Sequence, residues 1–387
     1  MKIRKLSCFA MALVITILSA ITTNAAQIST VADKYNSTAA YINTLYTQSM
    51  SLIDSEWAVI GLSRANKISN EFAEAYYNHA VNYLKENGSA KLSKNASTDN
   101  SKMIIALSAI KKDVTNVAGY NLLEPLADFN FVKKQGINGP IWALISFDTY
   151  NYEIPVDKSV EVQTTRKNLI DYILDKQLED GGWALSGKNS DPDITSMALQ
   201  ALSRYCYYGD VNAACQTALN TLSSLQKDDG GFASFGAVNS GSCAQTLVAL
   251  TSLNINPLTD KRFIKNGKTV IDAIMSFSTD NGFTHTANGN YNQMATEQCF
   301  YALTSYFRFI NSQTSLYNMS DIAPLINVSD VNGDGNFDIS DATYIQKFIS
   351  KSIDISDEYL YNADVNHDGA INILDATLVQ KSLAGIK

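Results

Sequence analysis

The sequence predicts an all-α protein, with about twelve helices in an inner and an outer ring and a small C-terminal module. Three observations predict this fold class. A small residue followed by leucine occurs in six apolar helical segments, at spacings of 37–58 residues. An Asp-Gly-Gly-aromatic turn recurs between the later segments. Near the C-terminus, an oxygen-rich pattern of twelve residues occurs twice, displaced by 34 residues.

Composition and charge narrow the classes of function. The chain has 387 residues, of which 45% are hydrophobic and 18% charged. This is a globular mixture, and the length allows more than one hydrophobic core. The 30 basic and 38 acidic side chains give a net charge of -8. Because an acidic surface repels a phosphate backbone, we expect no nucleic-acid partner.

Residues 1–26 have the pattern of an export signal peptide. The basic residues Lys2, Arg4 and Lys5 precede an uncharged, mostly apolar run, and small residues up to Ala26 offer a cleavage site. The alternative is an N-terminal membrane anchor, but the apolar run is shorter than the roughly 20 residues that span a bilayer. We therefore expect a secreted, extracellular protein without a membrane span.

Cysteine usage leaves the redox state open. Five cysteines are present, and Cys8 leaves with the signal peptide, so that Cys206, Cys215, Cys243 and Cys299 remain. Export permits disulfides, although four cysteines are sparse and none shows Cys-x-x-Cys metal spacing. We expect buried free thiols, and a Cys206–Cys215 bridge is the alternative.

The helical repeats fill residues 27–312, the predicted first domain. Apolar residues at helical spacing surround each small-leucine pair, and a small residue lets neighbouring helices approach closely. A period near 50 residues holds about two helices and two turns at ordinary lengths. The six pairs are Gly61-Leu62, Ala106-Leu107, Ala143-Leu144, Ala201-Leu202, Ala249-Leu250 and Ala302-Leu303.

A second signature marks the turns. The sequence Gln177-x-x-Asp-Gly-Gly-Trp183 recurs as Gln226-x-x-Asp-Gly-Gly-Phe232, and more loosely at 280–283. Glycine tolerates the left-handed backbone at a helix C-terminus, and aspartate bonds to nearby backbone. These motifs resemble the squalene-cyclase and protein-prenyltransferase superfamily over about 56–309, most closely at 189–202. The resemblance implies an (α/α)6 toroid.

The chain departs from three chemistries of that superfamily. Class II cyclases carry Asp-x-Asp-Asp, where this chain reads Asp191-Pro-Asp193-Ile194. Prenyl transfer needs a zinc site, but neither His79 nor His285 has ligand spacing around it. Thioester chemistry needs Cys-Gly-Glu-Gln, and residues 296–299 have a different order. We therefore expect none of these chemistries.

A toroid would have one funnel-shaped cavity, where the N-terminal ends of the inner helices converge. The carboxylates there are the catalytic candidates, although helix capping and the helix dipole equally explain such residues at helix starts. These carboxylates are Glu56, Asp193 and Glu297. The other candidate cavity residues are Asn100, Asn138, Trp142, Asp191, Thr195, His285 and Tyr301.

The C-terminal module, residues 328–387, follows a polar linker at 313–327. Each copy of its loop offers oxygen ligands at positions 1, 3, 5, 7, 9 and 12, and position 7 contributes a backbone carbonyl. Such alternate spacing points successive oxygens at one hard cation. Because no sulfur or imidazole is offered, we expect two Ca²⁺ ions rather than zinc. The ligands are Asp330, Asn332, Asp334, Asn336, Asp338 and Asp341, and then Asp364, Asn366, Asp368, Ala370, Asn372 and Asp375.

Two departures from an EF-hand identify a relative of this module. Position 12 is aspartate, and no amphipathic helix precedes the first loop. Both features resemble the type I dockerin module, which implies one helix after each loop and a cohesin partner on a scaffold protein of a cellulosome-type complex. The resemblance implies recognition through Ile339, Ser340, Gln346 and Lys347, and through Ile373, Leu374, Gln380 and Lys381. The alternative is that the apolar members of this set belong to the core.

The sequence therefore predicts a secreted, scaffold-associated protein that docks to a cohesin through calcium-loaded loops, which we expect to be largely unfolded without the metal. We expect the toroid to be a non-catalytic module that binds a polysaccharide, a small ligand or a partner. The alternative is a polysaccharide-active enzyme, a glycoside hydrolase or lyase that uses paired carboxylates across the cavity. Binding is favoured because the motif matches are to proteins without a glycosidase signature.

Overall fold

The protein is described by a computed structural model that is predominantly α-helical, which confirms the all-α prediction. The expected signal peptide at 1–26 lies outside the described residues. Within the described part of the chain, no helix is both long and apolar enough to cross a membrane. The described residues are 29–46, 55–207, 209–234, 236–322, 331–334, 337–355, 357–366 and 370–384.

Helices account for most of the described chain up to residue 310. They are α1 (29–46), α2 (Glu56–Arg64), α3 (Asn70–Asn87), α4 (Ser97–Ala109), α5 (Phe129–Val132), α6 (Asn138–Thr149), α7 (Arg166–Asp175), α8 (Pro192–Leu202), α9 (Gly209–Leu225), α10 (Ser240–Ser252), α11 (Val270–Ser276) and α12 (Gln293–Ile310). Short antiparallel hairpins join β1 (Ala233–Ser234) to β2 (Ala237–Val238) and β3 (Ser278–Thr279) to β4 (Gly282–Phe283).

Six of these helices contact one another in a closed series. Helix α2 packs against α4, α4 against α6, α6 against α8, α8 against α10, α10 against α12, and α12 against α2. Helices α7, α9 and α11 pack against α6, α8 and α10 respectively. Helices α6 and α10 are buried on nearly every side, whereas α7 and α9 bury a single face. This is the difference expected between inner and outer helices.

The closure between α2 and α12 depends on a small residue. All six small-leucine pairs lie on the six helices of the closed series. A Cβ added at Gly61 would lie 3.0 Å from Cδ1 of Phe300 and 3.2 Å from Cβ of Tyr301. Gly61 therefore allows the first and last helices of the series to approach closely.

The two Asp-Gly-Gly turns connect α7 to α8 and α9 to α10. Gly181 and Gly230 have φ angles of 90° and 83°, a left-handed conformation that favours glycine. The side-chain amide of Gln177 donates to the carbonyl of Gly181 at 2.7 Å and to that of Ala214, on α9, at 3.0 Å. Trp183 is fully buried and donates from Nε1 to the backbone of α7 at 2.7 Å.

The cysteines correct one expectation. Cys206 and Cys215 form a disulfide, with their Cα atoms 5.9 Å apart, so the expectation of free thiols is wrong for this pair. Cys243 and Cys299 are buried and free, as expected. The sequence does not show that the segment after α8 turns back to bring Cys206 beside α9, and this turn decides the pairing.

The segment after α12 is packed rather than free. Leu316 and Met319 are fully buried, and Arg64 donates from Nε to the carbonyl of Leu316 at 2.9 Å. Asp321 accepts from Arg64 at 2.8 Å and from Arg308 at 2.5 Å. Burial, together with the neighbouring Arg308, lowers the pKa of Arg64 to about 10. The stretch up to residue 322 therefore contacts α2 and α12, within the segment where the sequence predicts a linker from 313.

The C-terminal module has a hydrophobic cluster of its own. Its helices are α13 (Ile339–Ile349), α14 (Asp357–Ala363) and α15 (Ile373–Leu383). Helix α13 packs against α15. The buried residues of this cluster are Val331, Ala342, Ile345, Ile355, Leu360, Ala363, Ala376 and Val379.

Candidate functional sites

The last residue of each twelve-residue loop closes that loop. Asp341 is fully buried, and its Oδ1 accepts from the backbone N–H of Val331 at 2.7 Å. Its Oδ2 accepts from the N–H of Asp338 at 2.9 Å. In the second copy, Asp375 accepts from the N–H groups of Asn366 at 3.2 Å and Asn372 at 2.8 Å. Each carboxylate thus joins the start of its loop to the helix that follows.

Position 9 of each loop also serves as the N-cap of the following helix. Oδ1 of Asp338 accepts from the N–H of Ser340 at 2.7 Å, and Oδ1 of Asn372 accepts from the N–H of Leu374 at 2.8 Å. With the aspartate three residues later, each forms a reciprocal capping box. The same local sequence therefore starts the helix and supplies a side-chain oxygen at position 9 of the loop.

The donor chemistry of these loops fits a hard cation. Asn332, Asp334, Asp338 and Asp341 offer amide and carboxylate oxygens, the ligand class of calcium. The predicted ligands Asp330, Asn336 and Asp368 lie outside the described residues. Among the residues that are described, no group of three or more His, Cys, Asp or Glu side chains is gathered as a metal site.

A comparison with protein families identifies this module. Residues 328–384 match the model of the dockerin type I domain. The C-terminal module is a type I dockerin domain. This match confirms the predicted dockerin, and it supports calcium binding and a cohesin partner. Searches among curated proteins and among solved structures find no match to the chain.

The predicted recognition residues of the dockerin lie on its surface. Ile339, Ile373 and Leu374 are 58%, 57% and 57% exposed. The alternative that these apolar side chains belong to the core is therefore wrong. In both copies the Gln-Lys pair is exposed, and Ser340 is half-buried. The pairs are Gln346 with Lys347 and Gln380 with Lys381.

Three polar residues expected at a cavity instead bind backbone. Asn100 is fully buried; its Oδ1 accepts from the N–H of Leu92 at 3.1 Å, and its Nδ2 donates to two backbone carbonyls. Asp191 is the N-cap of α8. Oγ1 of Thr195 accepts from the N–H of Trp183 at 2.9 Å. These contacts hold loops and a helix start in place. They agree with the alternative that polar residues at helix starts serve the local backbone rather than a cavity.

The predicted aromatic residues differ in their surroundings. Trp142 and Tyr301 are buried, and Trp57 contacts both, with ring centroids 5.1 and 5.4 Å away. Tyr317 packs edge-on against Trp142 at 5.9 Å. His285 is exposed. Aromatic rings from α2, α6, α12 and the segment after α12 therefore pack together, and His285 is not part of this group.

Asn138, at the start of α6, is the remaining predicted cavity residue. Its Oδ1 is buried and has no hydrogen-bond partner among the described residues.

Glu297 and Glu56 accept hydrogen bonds from tyrosines of α1 and α3. Glu297 is 3% exposed and accepts a hydrogen bond from the hydroxyl of Tyr46, on α1, at 2.5 Å. Glu56 accepts from the hydroxyl of Tyr76, on α3, at 3.3 Å. Burial raises the pKa of Tyr46 well above its usual value, and both carboxylates raise it further. The two glutamates therefore lie close to the same tyrosine, as expected from the contact of α2 with α12.

Asp193 has a largely buried carboxyl with a raised pKa. Its Oδ1 is buried without a hydrogen-bond partner of normal geometry in the described residues. Burial, with a smaller contribution from Asp191, raises its pKa to about 6, although the Ser242 hydroxyl on α10 stabilises the charged form. A carboxyl with this pKa exchanges protons close to neutral pH, as a general acid or base must.

A cavity of about 180 Å³ lies beside α2, α3 and α4. Glu56 alone among its lining residues was predicted. The start of α4 carried a signal for three of the others, because Asp99, Lys102 and Met103 are spaced to share one helical face. The lining residues are Glu56, His79, Tyr83, Leu92, Asp99, Lys102 and Met103.

Proposed function

We propose that this protein is a secreted subunit of a cellulosome-type assembly, attached to a scaffold by calcium-dependent docking of its dockerin to a cohesin. The match of residues 328–384 to the type I dockerin family carries this proposal. The exposed apolar side chains at the starts of α13 and α15 support it: Ile339 and Ile373 occupy equivalent positions in the two copies, and Leu374 lies next to Ile373, so that the same surface is apolar in both copies.

Two calcium ions are proposed, one for each loop. The support is the repeated geometry, since Asp341 and Asp375 each accept from two or more backbone N–H groups of their own loop. When bound, Ca²⁺ neutralises the carboxylates that would otherwise repel one another. The protein itself contributes the capping boxes that start α13 and α15 beside each loop.

An (α/α)6 toroid is proposed for the first domain, from the mature N-terminus to residue 322. The closed series of six helix contacts, with outer helices packed on three of its members, supports this architecture. The six small-leucine pairs on those helices support it from the sequence.

The first domain is proposed to bind a ligand or partner without catalysis, in the setting of polysaccharide degradation. The two glutamates nearest the contact of α2 with α12 already accept hydrogen bonds. Glu297 accepts from Tyr46 and from Gln293, and Glu56 accepts from Tyr76. Carboxylates that join helices in this way are explained by packing and need no reaction.

The alternative is a polysaccharide-active enzyme, and Asp193 is the observation that favours it. A carboxyl with a pKa near 6 suits a general acid. We propose incubating the full chain and its Asp193→Asn variant with plant polysaccharides and assaying new reducing ends and unsaturated products. Product from the parent that the variant fails to release would establish the enzyme. No product on any glycan, together with retained binding of a small ligand, would support the binding function.

Docking is tested by capture on a panel of immobilised type I cohesins, with calcium and with excess EGTA. We expect capture in calcium alone. Replacing Ile339 and Ile373 together by aspartate should abolish capture, whereas each single substitution should weaken it less, because the two copies present equivalent surfaces. An Ile349→Asp variant, which changes an exposed isoleucine at the other end of α13, is the control. Capture that persists in EGTA would contradict the proposal.

A further inference from the structure

We propose that the cavity beside α2, α3 and α4 binds one pyranose unit of a neutral polysaccharide. This inference rests on the proposal that the first domain binds a ligand, and it specifies the site and the chemical class of that ligand. The cavity lies at the N-terminal ends of two neighbouring helices of the closed series, since Glu56 begins α2 and Asp99 is in the first turn of α4.

The charges of the lining residues favour an uncharged, polyhydroxylated ligand. Two carboxylates, Glu56 and Asp99, accept hydrogen bonds, and the Lys102 ammonium donates them. His79 can do either through its two ring nitrogens. The two carboxylates would repel an anionic ligand, and the Lys102 ammonium would repel a cationic one. Hydroxyl groups, which both donate and accept, satisfy this mixed set without a net charge of their own.

The apolar part of the lining suits the C–H face of a sugar ring. Tyr83 is 40% exposed, so its ring is available at the surface of the cavity. Leu92 and Met103 are only 9% and 7% exposed and provide buried apolar surface. An aromatic ring beside convergent polar groups allows a ligand with polar edges and apolar faces to be held on both.

The size of the cavity sets the extent of the ligand. Small-molecule sites usually enclose about 300–1,000 Å³, and this cavity encloses about 180 Å³. It therefore accommodates a single ring-sized unit, and the rest of a longer chain would remain outside.

Several lining residues are held in position before any ligand arrives. The hydroxyl of Tyr83 donates to the carbonyl of Leu92 at 3.3 Å. The N–H of Leu92 is bound by the fully buried Asn100 at 3.1 Å. Glu56 is bound by the buried Tyr76 at 3.3 Å. Because these side chains are already ordered, less conformational entropy is lost on binding.

The test is isothermal titration of the full, calcium-loaded chain with cellotetraose, xylotetraose and mannotetraose, and with tri-galacturonate as the anionic comparison. We expect a neutral oligosaccharide to bind, and Asp99→Asn and Tyr83→Ala each to weaken it at least tenfold. Tyr83→Phe keeps the ring and should retain most of the affinity. Tyr207→Ala and Asp171→Asn change an exposed tyrosine and an exposed aspartate outside the cavity and should leave affinity unchanged. Thermal unfolding would establish that each variant is folded.

The outcomes separate this inference from the proposed function. Neutral-sugar binding that the cavity variants leave unchanged would overturn the inference, while the ligand-binding function would stand with its site elsewhere. Binding of tri-galacturonate alone would overturn the proposed ligand class. If none of the four oligosaccharides binds, the inference fails, and any ligand of the first domain belongs to another class. Cohesin capture is unaffected by the cavity variants in every case, so failure of docking is recognised separately.

Discussion

Replacing Asp193 with asparagine should stabilise the first domain at neutral pH. The carboxyl of Asp193 has a buried oxygen without a hydrogen-bond partner of normal geometry among the described residues, and burial raises its pKa to about 6. In the unfolded chain its pKa returns to an ordinary value near 3.8. The folded state therefore binds the proton more tightly, and ionisation of Asp193 costs folding free energy. Asparagine has a similar shape and no charge to bury.

The magnitude follows from the pKa shift. One pKa unit corresponds to about 1.4 kcal/mol, so a shift of about two units costs about 3 kcal/mol when the carboxyl is fully ionised. Between pH 4 and 6 the folded state holds more protons than the unfolded state, so this cost grows as the pH rises. We therefore expect Asp193→Asn to gain about 3 kcal/mol at pH 7.5 and only about 1 kcal/mol at pH 4.5.

Urea denaturation followed by tryptophan fluorescence measures this difference. The three tryptophans, Trp57, Trp142 and Trp183, all lie in the first domain, so the dockerin does not contribute to the signal. The control is Asp171→Asn, an exposed carboxylate paired with Lys167, which should change stability by less than about 0.5 kcal/mol. An Asp193→Asn variant that is no more stable than the parent at pH 7.5, or whose gain in stability does not depend on pH, would show that ionisation of Asp193 does not destabilise the fold.

Three further substitutions test the packing of the first domain by the same assay. Gly61→Ala should destabilise it by about 1–3 kcal/mol, because the new methyl group would crowd the Phe300 ring; an unchanged midpoint would mean that the closure is loose. Replacing Cys206 and Cys215 by serine should cost about 2–3 kcal/mol, the value for a short closed loop, and no loss would show that the bridge adds little. Asp321→Asn should cost about 1–3 kcal/mol, because two buried guanidinium groups lose charged hydrogen bonds to their shared, partly exposed carboxylate. Although burial raises the pKa of Asp321, the two guanidinium groups hold it below its usual value. The parent should therefore lose this stabilisation as the pH falls. A loss of stability with rising pH would contradict the ion pairs as its source.

The helical repeat was predictable from the sequence because its signal is local and periodic. Each small-leucine pair lies within one apolar helix, so its spacing along the chain indicates the helix and its burial. The sequence does not predict which helices touch at Gly61. It indicates a small residue there, and the packing of α2 on α12 shows which contact requires it.

The dockerin loops were predictable for a related reason. The cap and the loop oxygens of each copy come from twelve consecutive residues, so the pattern appears in the sequence itself. The closing contact of Asp341 with the N–H of Val331 spans only ten positions.

The contacts that were not predicted join distant segments or depend on a turn. The Cys206–Cys215 bridge requires the chain to reverse between α8 and α9. Asp99 enters the candidate site only because α2 and α4 are neighbours, which places it beside the same cavity as Glu56. Burial of the segment after α12 depends on Arg64, about 250 residues earlier in the chain. Sequence periodicity does not encode these pairings.

Calcium titration of the chelator-treated full chain tests whether the dockerin loops bind calcium and fold with it. We expect two ions per chain, with a gain of helical circular dichroism as they bind. Asp341→Ala and Asp375→Ala should each remove one ion, because each replaces the closing carboxylate of one loop. A chain that takes up no calcium, or whose helical signal does not change as calcium is added, would contradict calcium-dependent folding of the dockerin.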